Sequence, residues 1–193
     1  MKKIGIYFGT DTGRTRRIAK LIAQKLGARA GGLAGVRADA PLNINRVSLD
    51  DFLAHEVLIL GAPTYGDGEL PGLATGLAQE SWAEFLPHLQ GLDMRHQTVA
   101  LFGLGEQEKY GHEFVDALIL LHDAVVACGA RVIGAWPVDG YVFTASQAVL
   151  DGRFVGLALD PVSQPALTEP RIDAWLQQLD DELQTLEEHD VRA

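Results

Sequence analysis

Short apolar runs alternate along this chain with longer stretches in which apolar residues recur every three to four positions. The run from Lys3 to Phe8 predicts a strand, and Ile18, Leu21, Ile22 and Leu26, which share one helical face, predict the helix after it. A Gly/Ala-rich passage from Gly27 to Asp39 is broken at Gly31, Gly32 and Gly35, so a second strand belongs somewhere between Gly32 and Val47. Ser48-Leu49-Asp50-Asp51 reads as a capping box for a short helix through Ala54. Val57 to Gly61 is continuously apolar, as in a strand covered on both faces of a parallel sheet. Glu80 to Leu89, with Trp82, Phe85 and Leu86 apolar, predicts a helix, and Thr98 to Leu104 the next buried strand. A helix with Phe114, Leu118, Leu121 and Val125 on one face follows, then a strand from Arg131 to Trp136. From Pro137 the periodicity fails until Phe154 to Leu159, which marks an insertion with a functional or interface role. Thr168 caps the last helix, Pro170 sits in its first turn, and Ile172, Trp175, Leu176, Leu179, Leu183 and Leu186 form a core stripe. Residues 1–186 read as one domain, and Glu187 to Ala193 as a frayed polar tail.

This alternation argues for an α/β sheet, and 193 residues at 47% hydrophobic content suffice for one full core. No apolar stretch reaches the roughly 18 residues of a membrane helix. Met1-Lys2-Lys3 runs straight into a strand rather than into a cleavable signal, which predicts a cytoplasmic protein. The one cysteine, Cys128, can make no intramolecular disulfide, fits no metal spacing, and is expected to pack beside the strand beginning at Arg131. With 16 basic and 26 acidic residues the net charge is −10, which argues against nucleic acid and anionic membranes and for a basic protein surface as partner. Acidity that serves solubility alone is the plainer alternative.

The candidate chemistry lies in three loops. Gly9-Thr10-Asp11-Thr12-Gly13-Arg14-Thr15 joins the first strand to its helix and offers an anion free backbone N–H groups, the positive end of the helix dipole and three threonine hydroxyls. A nucleotide-hydrolase loop would need G-x-x-x-x-G-K-[ST]; this stretch is one residue shorter and has Arg14 where the lysine would be. Taken alone, the stretch also fits a βα turn without a ligand. Ala62-Pro63-Thr64-Tyr65-Gly66-Asp67-Gly68-Glu69-Leu70-Pro71-Gly72 and Gly103-Leu104-Gly105-Glu106-Gln107-Glu108-Lys109-Tyr110-Gly111 are loops rich in glycine, each carrying a tyrosine. The three follow the first, third and fourth of five strands, and every βα loop of a parallel sheet emerges at the carboxyl ends. With the strand order 2-1-3-4-5 those strands are neighbours. One ligand then touches all three loops, a phosphate on Thr10 to Thr15 and a flat ring between Tyr65 and Tyr110. Flavin mononucleotide (FMN) fits that description.

These motifs resemble a flavodoxin of the long-chain type from Lys3 to about Leu183, and Trp136 to Tyr141 followed by Phe154 to Asp160 resembles the interrupted fifth strand of that type. The resemblance implies a three-layer α/β/α sandwich on a five-stranded parallel sheet in the order 2-1-3-4-5, an order taken from the family. It implies non-covalent FMN as cofactor, no metal, and a one-electron carrier that cycles between quinone, semiquinone and hydroquinone rather than an enzyme. The FMN-binding residues it implies are Thr10, Asp11, Thr12, Gly13, Arg14 and Thr15; Pro63, Thr64, Tyr65, Gly66, Asp67 and Gly68; Gly103, Leu104, Gly105, Glu106, Gln107, Tyr110 and Glu113; and Asp139. Ala40 to Arg46, Gly66 to Leu73 and Glu80 to Phe85 resemble in particular the flavodoxins associated with nitrogen fixation. That likeness implies nitrogenase reductase as electron acceptor, a flavodoxin reductase or pyruvate:flavodoxin oxidoreductase as donor, and a monomer. Tyr65 stands where many flavodoxins have Trp and the nitrogen-fixation type often Leu, and Glu106 replaces the usual Asp; both bear on the redox potential rather than the cofactor.

Under that reading an acidic rim of Asp67, Glu69, Glu106 and Glu108, partly offset by Lys109, disfavours negative charge on the reduced ring and lowers its potential. The Gly66-Asp67 peptide would rotate to offer a carbonyl to the ring, which glycine makes cheap. His112 is placed near the flavin rim, while the other histidines share no ligand spacing. Two alternatives remain: an FMN-dependent NAD(P)H:quinone oxidoreductase, which needs room for a second nucleotide against the ring, and a non-redox phosphate-binding signalling domain. The second would require a nucleophilic Asp where the third strand ends in Gly61-Ala62-Pro63.

Overall fold

Strand β1 (Lys3–Phe8) is buried from its second residue on, because Ile4, Ile6 and Phe8 face one side and Tyr7 the other. The structure, a computed structural model, describes residues 3–10, 12–29 and 33–190. After β1 come α1 (Arg14–Ala28), β2 (Arg37–Ala38), β3 (Leu42–Asn43), α2 (Leu49–Leu53), β4 (Val57–Pro63), α3 (Trp82–Phe85) and β5 (Thr98–Leu104). They are followed by α4 (Ala117–Ala127), β6 (Arg131–Ile133), β7 (Trp136–Pro137), β8 (Val149–Leu150), β9 (Arg153–Phe154), β10 (Leu157–Leu159) and α5 (Thr168–Asp190).

The main sheet runs β2-β1-β4-β5-β10, with β3 also on β1 and β6 also on β5, and every pairing is parallel. This is the expected order with both edge positions split. On one edge Arg37 and Ala38 pair with Lys3 and Ile4, and Leu42 and Asn43 with Tyr7 and Phe8. Pro41, without a backbone N–H, separates the two pieces. On the other edge β6 pairs with Thr98 to Ala100 and β10 with Phe102 to Leu104.

Helices α1 and α5 cover one face through Ile18, Ile22, Leu26, Trp175, Leu176 and Leu179. Helices α2, α3 and α4 cover the other through Phe52, Trp82, Leu118, Leu121 and Val125. Strand residues alternate between the two cores, Leu58 and Leu60 against Ile59, and Val99 and Leu101 against Ala100 and Phe102. Gly61 is required here, since a Cβ on it would stand 1.9 Å from the Phe102 ring.

Several elements depart from the sequence pattern. The strand expected from Arg131 to Trp136 ends at Ile133, because Gly134 turns out of the sheet at φ +79 beneath Trp175, whose Nε1 donates to Gly134 O at 2.9 Å. Trp136–Pro137 joins instead a small antiparallel sheet, β7-β9-β8, which forms the insertion. Phe114 precedes α4 rather than lying on it, because Val115 has φ +53 and interrupts the helix. The helix expected over Glu80 to Leu89 becomes α3 and a 3-10 turn (Leu86–Leu89), since Pro87 cannot donate within a helix. Ser48 caps α2 as expected, its Oγ accepting from Asp51 N at 3.1 Å. Thr168 does not cap α5: the 3-10 turn Pro165–Leu167 leads directly into the helix, and the Thr168 hydroxyl is buried without a partner. Helix α5 continues through Asp190, into the segment expected as a frayed tail. Cys128 is free and buried at the end of α4, its Sγ donating to Leu89 O at 3.1 Å.

The insertion is laced to the segment before α4. Thr144 N and Ala145 N donate to Gly111 O, Phe114 N donates to Ala145 O, and Ser146 Oγ donates to Phe114 O. Phe114 stacks on Phe143 with ring centroids 5.6 Å apart and meets Phe154 edge-on at 5.8 Å. Among the described residues, no helix is long and apolar enough to cross a membrane.

Candidate functional site

The loop before α1 is shaped by two hydrogen bonds, one to the neighbouring strand β4 and one within the loop. Gly9 N donates to Gly61 O at 3.0 Å, and Gly13 N donates to Thr10 Oγ1 at 3.0 Å. Gly13 has φ +82, a left-handed conformation that favours glycine, and its side-chain-free N-cap leaves the first turn of α1 without a capping acceptor or an acidic residue. Thr15, in that turn, is 1% exposed and its Oγ1 has no partner. An orphaned buried hydroxyl costs about 1–3 kcal/mol unless something satisfies it. Uncapped N–H groups, the dipole and this hydroxyl together make a site for an anion.

The second loop folds back on itself. Tyr65 N donates to Glu69 O at 2.9 Å and Glu69 N to Tyr65 O at 2.7 Å, closing a turn with Gly66 at φ +48 and Gly68 at φ +87. Thr64 is fixed from two sides: its N donates to Leu104 O, and its Oγ1 accepts from Ala117 N at 3.2 Å. The third loop is held from below. Gly105 N donates to Leu159 O, Gln107 N to Asp160 Oδ2 at 2.9 Å, Val142 N to Gln107 Oε1 at 2.5 Å, and Tyr110 N to Glu106 O at 2.8 Å. Gly105 lies under Phe114, where a Cβ would come within 2.7 Å of the ring.

The three loops enclose a cavity of about 520 Å3 at the carboxyl edge of the sheet, within the range of small-molecule sites. Of the residues expected to bind a ligand, Thr10, Thr12, Arg14 and Thr15 line it on the α1 side. Pro63, Thr64, Tyr65 and Gly66 line it from the second loop, and Leu104, Gly105, Glu106, Tyr110 and Glu113 from the third. Tyr110 is 44% exposed, with Lys109 Nζ 4.9 Å from the centre of its ring. Glu113 pairs with His112 at 2.9 Å, which brings His112 to the rim.

Other expected residues stand elsewhere. Asp11 lies outside the described residues. Gly13 shapes the loop but does not line the cavity. Asp67 and Gly68 turn away and line a second, separate groove, because the turn closes at Glu69 and Gly68 rests on Asp116. Gly103 faces Leu118 inside β5, where a Cβ would meet it at 3.3 Å. Gln107 is buried beneath the loop it supports. Asp139 is exposed in the insertion, whose neighbouring Gly140 O is held by Arg171 Nη2 and Gln164 Nε2, each at 3.0 Å.

Lys109, expected at the rim, lines the cavity too, and the lining residues that pattern reading missed are Phe114, Pro161 and Val162. Pro161 and Val162 follow the last strand, and the rule that carboxyl-end loops hold the ligand points to them as well as to the other three loops. Asp160, 1% exposed, organises that fourth loop: it accepts from Gln107 N, Val162 N and Ser163 N at 2.9, 3.1 and 2.8 Å. Among the described residues, no group of three His, Cys, Asp or Glu is placed to hold a metal ion.

A family model described as flavodoxin matches residues 6–175. A flavodoxin of Klebsiella pneumoniae is 51% identical over 179 residues, spanning 93% of this chain and 97% of that protein. Flavodoxin 1 of Escherichia coli strain K12 is 41% identical over 180 residues, 93% of each. Among solved structures, a Fusobacterium nucleatum flavodoxin bound to flavin mononucleotide superposes with a TM-score of 0.81 at 32% identity, covering 94% of this chain and 99% of that one.

Proposed function

This chain belongs to the flavodoxin family, whose members are electron-transfer proteins and not enzymes, and from that membership we propose that it is a low-potential one-electron carrier on non-covalent FMN, donating to nitrogenase reductase. The observation that carries the cofactor is the Thr15 hydroxyl, buried and unpartnered at an uncapped helix N-terminus that opens on the cavity. A phosphate monoester satisfies both at once, and the same cavity offers Tyr65 and Tyr110 to a flat ring.

FMN supplies reversible one-electron chemistry when bound. The chain's own residues determine where that chemistry runs. Thr10, Thr12 and Thr15 hold the phosphate with the first N–H groups of α1. Tyr65 and Tyr110 keep water from the ring faces. Glu106 and Glu113 line the same cavity, and their charge makes added negative charge on the ring more costly, which lowers the potential. Gly66, at φ +48, lets the Gly66-Asp67 peptide turn its carbonyl without a Cβ in the way.

Net charge and the exposed carboxylates Asp67, Glu69 and Glu108 fit basic-surfaced redox partners that meet the carrier in the cytoplasm: nitrogenase reductase as acceptor, a flavodoxin reductase or pyruvate:flavodoxin oxidoreductase as donor. The nitrogenase assignment rests on the likeness of Ala40 to Arg46, Gly66 to Leu73 and Glu80 to Phe85 to the nitrogen-fixation type.

The test has two stages. Purified protein should take up FMN with quenching of flavin fluorescence and accept two separate one-electron steps on anaerobic titration. A chain that takes up no FMN removes the reading. Reduced protein should then pass electrons to nitrogenase reductase at a rate that falls as salt rises; transfer that is absent, or insensitive to salt, removes that acceptor or the electrostatic docking.

A further inference from the structure

Helix α4 reads Ala-Leu-Ile-Leu-Leu-His-Asp-Ala-Val-Val-Ala, apolar on nearly every side. A helix of that kind belongs in an interior. Here only Ala117, Leu118, Leu121 and Val125 are buried against the sheet, while Leu120 is 42% and Val126 45% exposed. Leu120, Ala124 and Ala127, spaced i, i+4 and i+7, form a second stripe that lines a groove of about 730 Å3. Ala83, Leu86, Pro87 and Leu89 form its other wall.

The groove has polarity along its length. At the N-terminal end of α4 the Gly68 backbone lies against Asp116, where a Cβ on Gly68 would stand 3.1 Å from that of Asp116, and the exposed residues Asp67 and Glu69 line the groove there. At the other end Gln90, Gly91 and Cys128 are uncharged. The acidic end belongs to the Tyr65-to-Glu69 turn, whose Tyr65 and Gly66 line the cofactor cavity.

We infer that this groove receives an amphipathic helix of a redox partner, apolar on one face and carrying Lys or Arg at the end that meets Asp67 and Glu69. The inference rests on reading the protein as an electron carrier. A groove between α4 on one side and α3 with its 3-10 turn on the other, with an apolar stripe at helical spacing along α4, matches helix-in-groove recognition. The charge selects the occupant: a second copy, itself at −10, would bring more carboxylate to an acidic end, whereas a basic helix neutralises it. Docked there, the partner's cationic end sits on the far side of the turn that borders the cofactor cavity.

The test uses the FMN-loaded protein, labelled with 15N, and two synthetic amphipathic peptides of about 14 residues, one Leu/Lys and one Leu/Glu, long enough for several turns. The Leu/Lys peptide should shift the amides of Gly68, Leu89, Leu120 and Ala124. The Leu/Glu peptide should bind at least about tenfold more weakly, and Leu120→Gln should weaken the Leu/Lys peptide about tenfold while leaving FMN uptake unchanged. Shifts confined to Glu106 and Tyr110, an unaffected Leu120→Gln variant, or equal binding of both peptides would overturn the inference. Groove amides that move with protein concentration alone would overturn it too, and give the groove to a second copy. Wild-type protein that holds no FMN would sink the carrier reading instead, a result read by fluorescence before any peptide is added.

Discussion

Gln107 N donates to Oδ2 of Asp160 at 2.9 Å across 53 residues of chain, tying the loop after β5 to the loop after β10. The same carboxylate accepts from Val162 N and Ser163 N, and Pro161 and Val162 line the cavity. Replacing Asp160 by Ala leaves three backbone donors, one of them from a buried residue, without their acceptor, at a cost of about 1–3 kcal/mol for each that stays dry. Asp160→Ala is expected to lower the melting temperature of the apoprotein and to speed FMN release; thermal scans and stopped-flow dissociation check both. Unchanged release would show that the loops keep their places without it.

Thr15 yields a prediction of opposite sign in two states. Its hydroxyl is buried and unpartnered, so Thr15→Val, which keeps the shape, should leave the apoprotein as stable or more stable by about 1 kcal/mol. FMN affinity should fall roughly ten- to a hundredfold with the loss of a hydrogen bond to a charged group. Urea melts of the apoprotein and fluorescence titration of FMN separate the two effects.

Gly66 stands at φ +48, and a Cβ there would lie 2.6 Å from Glu69 Oε2. A Gly66→Val side chain meets both strain and that carboxylate, so the peptide loses its easy rotation. A strain of about 1 kcal/mol corresponds to ~40 mV in a one-electron potential. The first reduction step is expected to become less favourable by that order in Gly66→Val, as read by spectroelectrochemistry; an unshifted first step would remove the role given to this peptide.

Burial pushes the Tyr7 hydroxyl up to about 12, with the charges of Asp51 and Asp39 acting in the same direction. Burial likewise lifts Tyr141 to about 12, against the opposing pull of Arg171. An unfolded tyrosine titrates near 10. The folded state holds both protons more tightly, so their contribution is complete below pH ~10 and is lost as pH rises through about 12. Unfolding midpoints should therefore fall between pH ~10 and ~12, and less steeply in Tyr141→Phe. A variant with the same slope as the parent would assign the loss to other groups.

The inner strands were legible because each is apolar on both faces: β1 and β5 begin and end where the residues alone put them, at Lys3–Phe8 and Thr98–Leu104. The edge strands were not, since two- and three-residue pieces such as Arg37–Ala38 and Leu42–Asn43 carry no period of their own and exist only by pairing with β1. At the site, the glycines and tyrosines that turn the loops after β4 and β5 announced themselves by composition. Pro161 and Val162 did not, because the loop that holds them is ordered by one carboxylate, Asp160, whose partners are distant backbone groups. Asp139 came from the resemblance alone, and the structure places it in the insertion, past the turn at Gly134 where the chain leaves the main sheet.

On β5, Ala100 pairs with Ile133 and Phe102 with Leu157, so the chain leaves the sheet and returns to it on either side of a single position, Leu101. Gly156 fills that seam against Leu101 O, where a Cβ would come within 2.3 Å. Residues 134–156 are thus a cassette whose two feet flank one rung of the ladder, that of Leu101. Its length can change without moving the register of any strand, and the sheet can be completed around cassettes of different size.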